Sequence, residues 1–382
     1  RSSAWPERSG PSDPVARPWD PPETIAATVA AATKGILDRN AEGVATLRRL
    51  ADEGALFYEG GEVHRAPVRI TYFVGNHDWM LRLPGPAYDA VRAHVVSALG
   101  LAHEDAGPFP HAPEEAPGGL TERLLAHRLV VRHGDVFDSI NFPGDRNRAA
   151  LGDAIVVELL NRFPELVRRH LGLAADDPLY LALREIDNVR PFSTIPPWVL
   201  GVIRRFGLEG KRSGRSILEV WDGLGEAFFA LDFVREQDRR WRLDDVDRLE
   251  AGFRFVKAFV SSRARRAIVG GLLRLVADRN REFARHALLE PAVQAGEARY
   301  VAYGHTHVHQ LLPLAVRRDE PVGKQFYFNS GTWRPTYRQT VGHPERLEFL
   351  GHNALTVLAF YAGDERAGRG FEVWNGALEG PA

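Results

Sequence analysis

Gly75-Asn76-His77-Asp78 sets an amide, an imidazole and a carboxylate side by side, directly after an apolar run. The Asn76 oxygen is a hard donor of the kind a divalent ion accepts. His77 can act as acid or base near neutral pH, and Asp78 beside it can orient the ring or raise its pKa. An ordinary polar turn uses the same residues. A second group, HGDVFD at 133–138, puts His133 before a glycine with Asp138 downstream. His133 there is either a metal ligand or a hydrogen-bonded turn residue. The third group, GHTHVH at 304–309, is the densest. In an extended or turning segment the i, i+2 spacing of His305 and His307 points both rings one way, so two nearby ions could each take one. Gly304 permits a sharp turn at that point, and His309 reads as a supporting or surface residue.

Composition narrows the chemistry. The chain has 382 residues and a net charge of −1, so no global field points to nucleic acid or an acidic partner. It contains no cysteine, which excludes disulfides, thiolate ligands and a cysteine nucleophile. Any metal must rest on His, Asp, Glu or Asn, donors that suit Mn, Fe, Zn or Mg. No apolar run reaches the ~20 residues of a membrane span; the run from Ala267 is broken by Arg274. A cytoplasmic chain, with peripheral membrane contact at most, is the expectation. The sequence opens on Arg1 with no signal-peptide core behind it, as in a chain processed, trimmed or begun partway through a gene product.

The elements that must carry these groups are legible in outline. Residues 1–22, rich in Pro, Ser and Asp, read as an irregular extension. Residues 21–37 have helical spacing, and a second helix at 41–53 has Asn40 as its N-cap and Gly54 as its stop. The β-branched run 68–75 predicts a buried strand covered on both faces. Segments 127–135, 298–309 and 324–333 repeat the pattern of apolar strand and polar turn, and two late strands begin near Ala354 and Gly370. Loops at the carboxyl ends of strands are where α/β folds gather their chemistry. From 147 to 295 the spacing turns helical, in stretches starting at Ala154, Ser216 and Asp247. The expected architecture is α/β, with a core of 1–146 and 296–382 and a helical insertion or lid at 147–295.

GNHD, then His-Gly, then GHxH, each after a strand, resembles the calcineurin-like metallophosphoesterase superfamily over about 68–142 and 296–376. The resemblance implies a two-sheet α/β sandwich and a dinuclear centre, with manganese the first expectation and iron, zinc or magnesium the alternatives. It implies that Asn76, His133 and His305 hold one ion and that His307 belongs to the other. His77 would be the leaving-group acid or transition-state stabiliser, with Asp78 supporting it. Two divalent ions ~3.5–4 Å apart neutralise a phosphate ester and lower the pKa of a bridging water. HGD with Asp138, together with GNHDW, looks most like the branch containing the UDP-2,3-diacylglucosamine hydrolases, which cleave a nucleotide-linked lipid diphosphate. This chain departs from that branch in its larger insertion and in His77, where several of those enzymes carry Arg.

The superfamily also opens with Asp-x-His and Gly-Asp-x-x-Asp blocks, and neither occurs before Gly75. The expectation is a chain that starts just downstream of them. Glu62-Val63-His64 imitates the first block but falls in an expected loop. Arg204 and Arg205, with Lys211, Arg212 and Arg215, could grip a diphosphate or anionic lipid headgroups; a solvated basic face is the alternative. The segment 191–206 is expected to pack in the insertion's core, with membrane docking or an acyl pocket as alternatives. Asn329 and Ser330 are expected to support the metal loops, and Arg334 to touch phosphate. The leading expectation is a phosphoesterase or pyrophosphatase acting on a small or lipid-linked substrate. A nuclease of the same superfamily and a non-catalytic scaffold are the alternatives, the former disfavoured by near-neutral charge.

Overall fold

The computed structural model describes residues 16–103, 107–116, 118–238, 245–247, 249–251, 253, 279–316 and 323–379, which form a mixed α/β chain. They divide into two compact units, Arg1–Thr121 with Phe142–Ala149, and Glu122–Asn141 with Ala150–Ala382.

In the first unit α1 (Pro22–Arg39) starts on a proline and buries Ile25 and Val29, and α2 (Ala41–Glu53) follows after one residue. That residue, Asn40, was expected to cap α2. It closes α1 instead: its Nδ2 donates to the Ile36 carbonyl at 2.7 Å. At φ −112 and ψ 27 its backbone lacks the extended geometry that aims an N-cap oxygen at the following N–H groups. Gly54, at φ 78, stops α2 as expected. β1 (Ala55–Glu59) and β2 (Glu62–Ala66) form a hairpin around Gly60 and Gly61, both at positive φ, as a tight primed turn requires. Glu62-Val63-His64 therefore lies on a strand and not in the expected loop, because two glycines supply the turn that lets the flanking segments pair.

The run 68–75 is also not the regular strand expected. It makes one parallel bridge, Ile70 to Leu101, plus single bonds from Ala102 N to Ile70 O and from Val74 N to Pro110 O. The facing segment contains Pro108 and Pro110, which have no N–H to extend a ladder. Its apolar side chains still build core. Ile70, Tyr72 and Val74 pack with Leu81, Leu101, Phe109 and with Val91 and Val95 of α3 (Pro86–Leu99).

The second unit carries two sheets. The first has the order β3 (Leu129–Arg132), β4 (Tyr300–Tyr303), β6 (Lys324–Ser330), β5 (His309–Val316), the first three parallel and β5 antiparallel. The second is antiparallel: β7 (Thr336–Gln339), β8 (Phe349–Phe360) and β9 (Phe371–Glu379). β4 is buried throughout, and its alternation explains both neighbours. Tyr300 and Ala302 join Leu129 and Phe328 against Leu358, Phe360, Phe371 and Val373 of the second sheet. Val301 and Tyr303 join Val130 and Tyr327 against Phe283, Ala287 and Val293.

The helices of this unit are α4 (Leu120–Ala126), α5 (Leu151–Ala154), α6 (Arg162–Leu171), α7 (Pro178–Leu183), α8 (Ile195–Arg205), α9 (Arg212–Phe229), α10 (Asp232–Arg235), α11 (Arg279–Ala287) and α12 (Pro291–Gln294). The stretch from Ala154 is helical as expected, with a π turn at Ile155–Leu160 between α5 and α6. In α8, Ile195 through Ile203 are all buried, so this stretch packs inward, as expected of the insertion's core. A Cβ on Gly201 would stand 2.2 Å from the Leu347 carbonyl oxygen, so glycine permits that close backbone approach. Most of the helix expected from Asp247, the apolar run from Ala267 and residues 1–15 lie outside the described residues. Among the described residues no helix is long and apolar enough to cross a membrane.

Candidate functional site

In the first unit the GNHD turn is tied through Gly75 and Asp78. Asp78 accepts from the Gly75 N–H at 2.6 Å and from the Tyr72 hydroxyl. Burial, then the Asp78 charge, pushes the Tyr72 hydroxyl well above its ordinary value. Leu81 N donates to Asp78 O at 3.0 Å and starts a 3-10 turn, Trp79–Arg82. Arg92, wholly buried, donates to the carbonyls of Leu81 and Leu83 at 2.9 and 2.7 Å and pairs with Asp89. Arg146 bridges the carbonyls of Val74 and His111. Within this frame Asn76 is buried and His77 is exposed. The carboxylate expected to serve His77 is thus also the tie of its own turn.

In the second unit the register pairs Arg132 with Tyr303, so the residues just beyond β3 and β4 are neighbours. Gly304 N donates to His133 O at 3.0 Å, and the rings of His133 and His305 meet edge to face with centroids 5.3 Å apart. His305 Nε2 stands 3.0 Å from Asp138 Oδ2. Asp138 also accepts from Ile140 N and Asn141 Nδ2, each at 3.1 Å. Burial raises the Asp138 carboxyl, but the hydrogen bond and charge of His305, with the other two donors, hold it below its ordinary value. An ionised Asp138 can only accept, so the His305 ring faces it with Nε2 as the donor. A carboxylate behind the far nitrogen is what orients histidine as a metal ligand.

His305 and His307 both have left-handed backbones, φ 65 and 58. That conformation costs a non-glycine residue roughly 1–2 kcal/mol, and such strain gathers at functional sites. Asn329, wholly buried, holds the loop: its Nδ2 donates to Gly304 O at 2.6 Å and its Oδ1 accepts from Gly331 N at 3.0 Å. This is the supporting role expected of it. Behind the strands, Glu290 accepts from Arg132 Nε at 2.9 Å and from the Tyr303 hydroxyl at 2.6 Å, fixing both strand ends. His309 stands apart in β5, its Nδ1 3.2 Å from Asn375 Nδ2.

His307 meets a different partner. Arg190 Nε and Nη2 lie 3.2 and 2.7 Å from its Nδ1. Arg334 Nη2 donates to Asp187 Oδ2 at 3.1 Å and to Asn188 Oδ1. Residues 187–190 of the expected insertion therefore reach His307 and Arg334. Arg204 directs its guanidinium at the carbonyls of Glu345 and Arg346, and Arg205 lies over Phe206; both are exposed. Sequence reasoning did not single out Arg190 or Asp187. No spacing could: Arg190 and His307 are 117 residues apart. Asp138 was visible in HGDVFD, yet its place against His305 depends on the 3-10 turn Asp135–Phe137.

Among the described residues no set of three or more His, Asp or Glu side chains is gathered as a metal ion requires. Imidazole donors such as those of His133 and His305 are of a type that suits a borderline divalent ion. No protein-family model matches the chain, and no curated protein or solved structure matches it either.

Proposed function

We propose that this chain is a metal-dependent hydrolase of phosphate esters or diphosphates. The observation that carries the reading is the Asp138–His305 pair beside His133, at the carboxyl ends of two adjacent parallel strands. His133 and His305 would hold a divalent ion, manganese first, with iron, zinc or magnesium as alternatives. When bound, such an ion lowers the pKa of a water molecule and offsets the negative charge of the ester. The chain's own residues do the positioning. Asp138 orients the His305 ring, Asn329 holds the strained loop, and Glu290 ties the strands beneath it. In fold, we read the two packed sheets with α11 and α12 on the far face as the metallophosphoesterase-type sandwich. A nucleotide- or lipid-linked substrate is the contribution of the motif resemblance, as are the roles of Asn76 and His77.

The test combines elemental metal content with hydrolysis of a chromogenic phosphodiester in the presence of Mn2+. His305→Ala is expected to lose bound ion and, on the scale of a lost metal-assisted step, at least about 100-fold in turnover. Its circular dichroism should stay that of the parent. Parental turnover in His305→Ala would overturn the reading.

A further inference from the structure

The motif resemblance assigns His307 to a second metal ion, but its hydrogen bonding is the reverse of that at His305. We propose that the Arg190 guanidinium, and not a metal ion, is the cation at His307, and that with Arg334 it forms a subsite for a phosphate group. The phosphate identity rests on the hydrolase reading above; the geometry stands by itself.

A guanidinium has five N–H donors, no acceptor, and keeps its proton throughout the physiological range. Two of its nitrogens face His307 Nδ1, at 3.2 and 2.7 Å. Arg190 can only donate, so Nδ1 accepts from it and the lone pair that a metal ion would need at Nδ1 is held by Arg190. His305 faces a carboxylate and His307 a cation.

Arg190 is built in. The residue is 5% exposed. Its backbone N–H donates to Tyr337 O at 2.9 Å, Nη1 donates to Asp187 O at 2.6 Å and Val189 O at 2.9 Å, and the guanidinium lies 4.3 Å from the Phe192 ring centroid. These contacts with His307 use four of its five N–H groups, and the fifth is on Nη2.

The surrounding charge favours an anion. Asp187 is the buried carboxylate shared by Arg190 and Arg334. Glu185 is engaged by Asn188 Nδ2 at 2.6 Å and, with Arg205, faces Tyr337. Burial first, and then the Arg334 charge, brings the Arg190 pKa down to about 10, while Asp187 opposes them. Arg190 and Arg334 thus share one buried carboxylate, Asp187, whose single charge faces two guanidinium groups. A buried cation without its full countercharge is costly, and the planar fork of arginine pairs bidentately with phosphate as it does with carboxylate; the hydrolase reading selects phosphate.

The experiment titrates the full chain, loaded with Zn2+, with inorganic phosphate by calorimetry, and records metal content in parallel. Arg190→Gln and Arg334→Gln are each expected to weaken phosphate binding at least tenfold with metal content unchanged. Arg190→Gln removes two bonds to backbone and could unfold locally; Arg334, one-third exposed, is the variant that keeps the test valid in that case. His307→Asn, which tolerates the left-handed backbone, should keep the parental metal content. In 15N spectra the His307 signals should be the same before and after Zn2+. Loss of one ion per chain in His307→Asn, a Zn2+-dependent change to a metal-bound His307 signal, or parental phosphate affinity in the arginine variants would overturn the proposal. Phosphate binding that depends on both arginines without turnover of any ester would support this subsite and sink the hydrolase reading alone.

Discussion

His305 and His307 are two residues apart and share a left-handed backbone, yet one faces a carboxylate and the other a guanidinium. This contrast makes Asp138 testable. Asp138→Asn keeps an acceptor near His305 but loses the charge that the ring faces. Metal affinity, measured by competition with a chelator, is expected to fall about 10–100-fold, the range for a lost carboxylate behind a metal-bound histidine. Unchanged affinity would mean that Asp138 serves only the turn at 138–141, where it also accepts from Ile140 and Asn141.

At the scale of elements, the helices were the most readable part and their joins the least. The limits of α2 match the expected 41–53, since periodicity and a following glycine are local signals. The fate of Asn40 was not local: its geometry is set by two helices meeting at one residue. α6 provides a prediction of its own. Glu165 accepts from Arg168 Nε at 2.8 Å, Arg169 Nε at 2.7 Å and the Tyr180 hydroxyl at 3.3 Å. The Arg168 hydrogen bond, against the opposing effect of burial and with help from Arg169, lowers its pKa to about 2. A depressed folded pKa means that this stabilisation is complete above the unfolded value of about 4.3 and lost as pH falls through about 2. Glu165→Gln should therefore lower urea stability by about 1–3 kcal/mol near neutral pH. The gap to the parent should close as pH drops across that window. A gap that does not change with pH would assign the loss to packing.

For the molecule as a whole, net charge separates the esterase reading from the nuclease alternative. At −1 over 382 residues there is no broad basic field, and binding to duplex DNA depends on one. Hydrolysis of a small phosphodiester should be nearly independent of salt, and no duplex retention is expected at about 0.1 M salt, where screening already acts over ~10 Å. DNA cleavage that falls steeply with added salt would favour the nuclease.

Sequence alone determined that an α/β chain carries His133, His305 and His307 at strand ends, because strand period, glycine turns and histidine spacing are properties of a few neighbouring residues. It also determined which metal ligands are impossible, since no cysteine exists to serve. Tertiary structure decided what those groups do. The run 68–75 has the composition of a strand, but a strand exists only where a partner can donate, and prolines 108 and 110 cannot. The partners of His305 and His307 are Asp138 and Arg190, and the second of these comes from 117 residues away. Electrostatic partners act through space, and the packing of two sheets and a helical segment, not their order in the chain, brings those partners within reach.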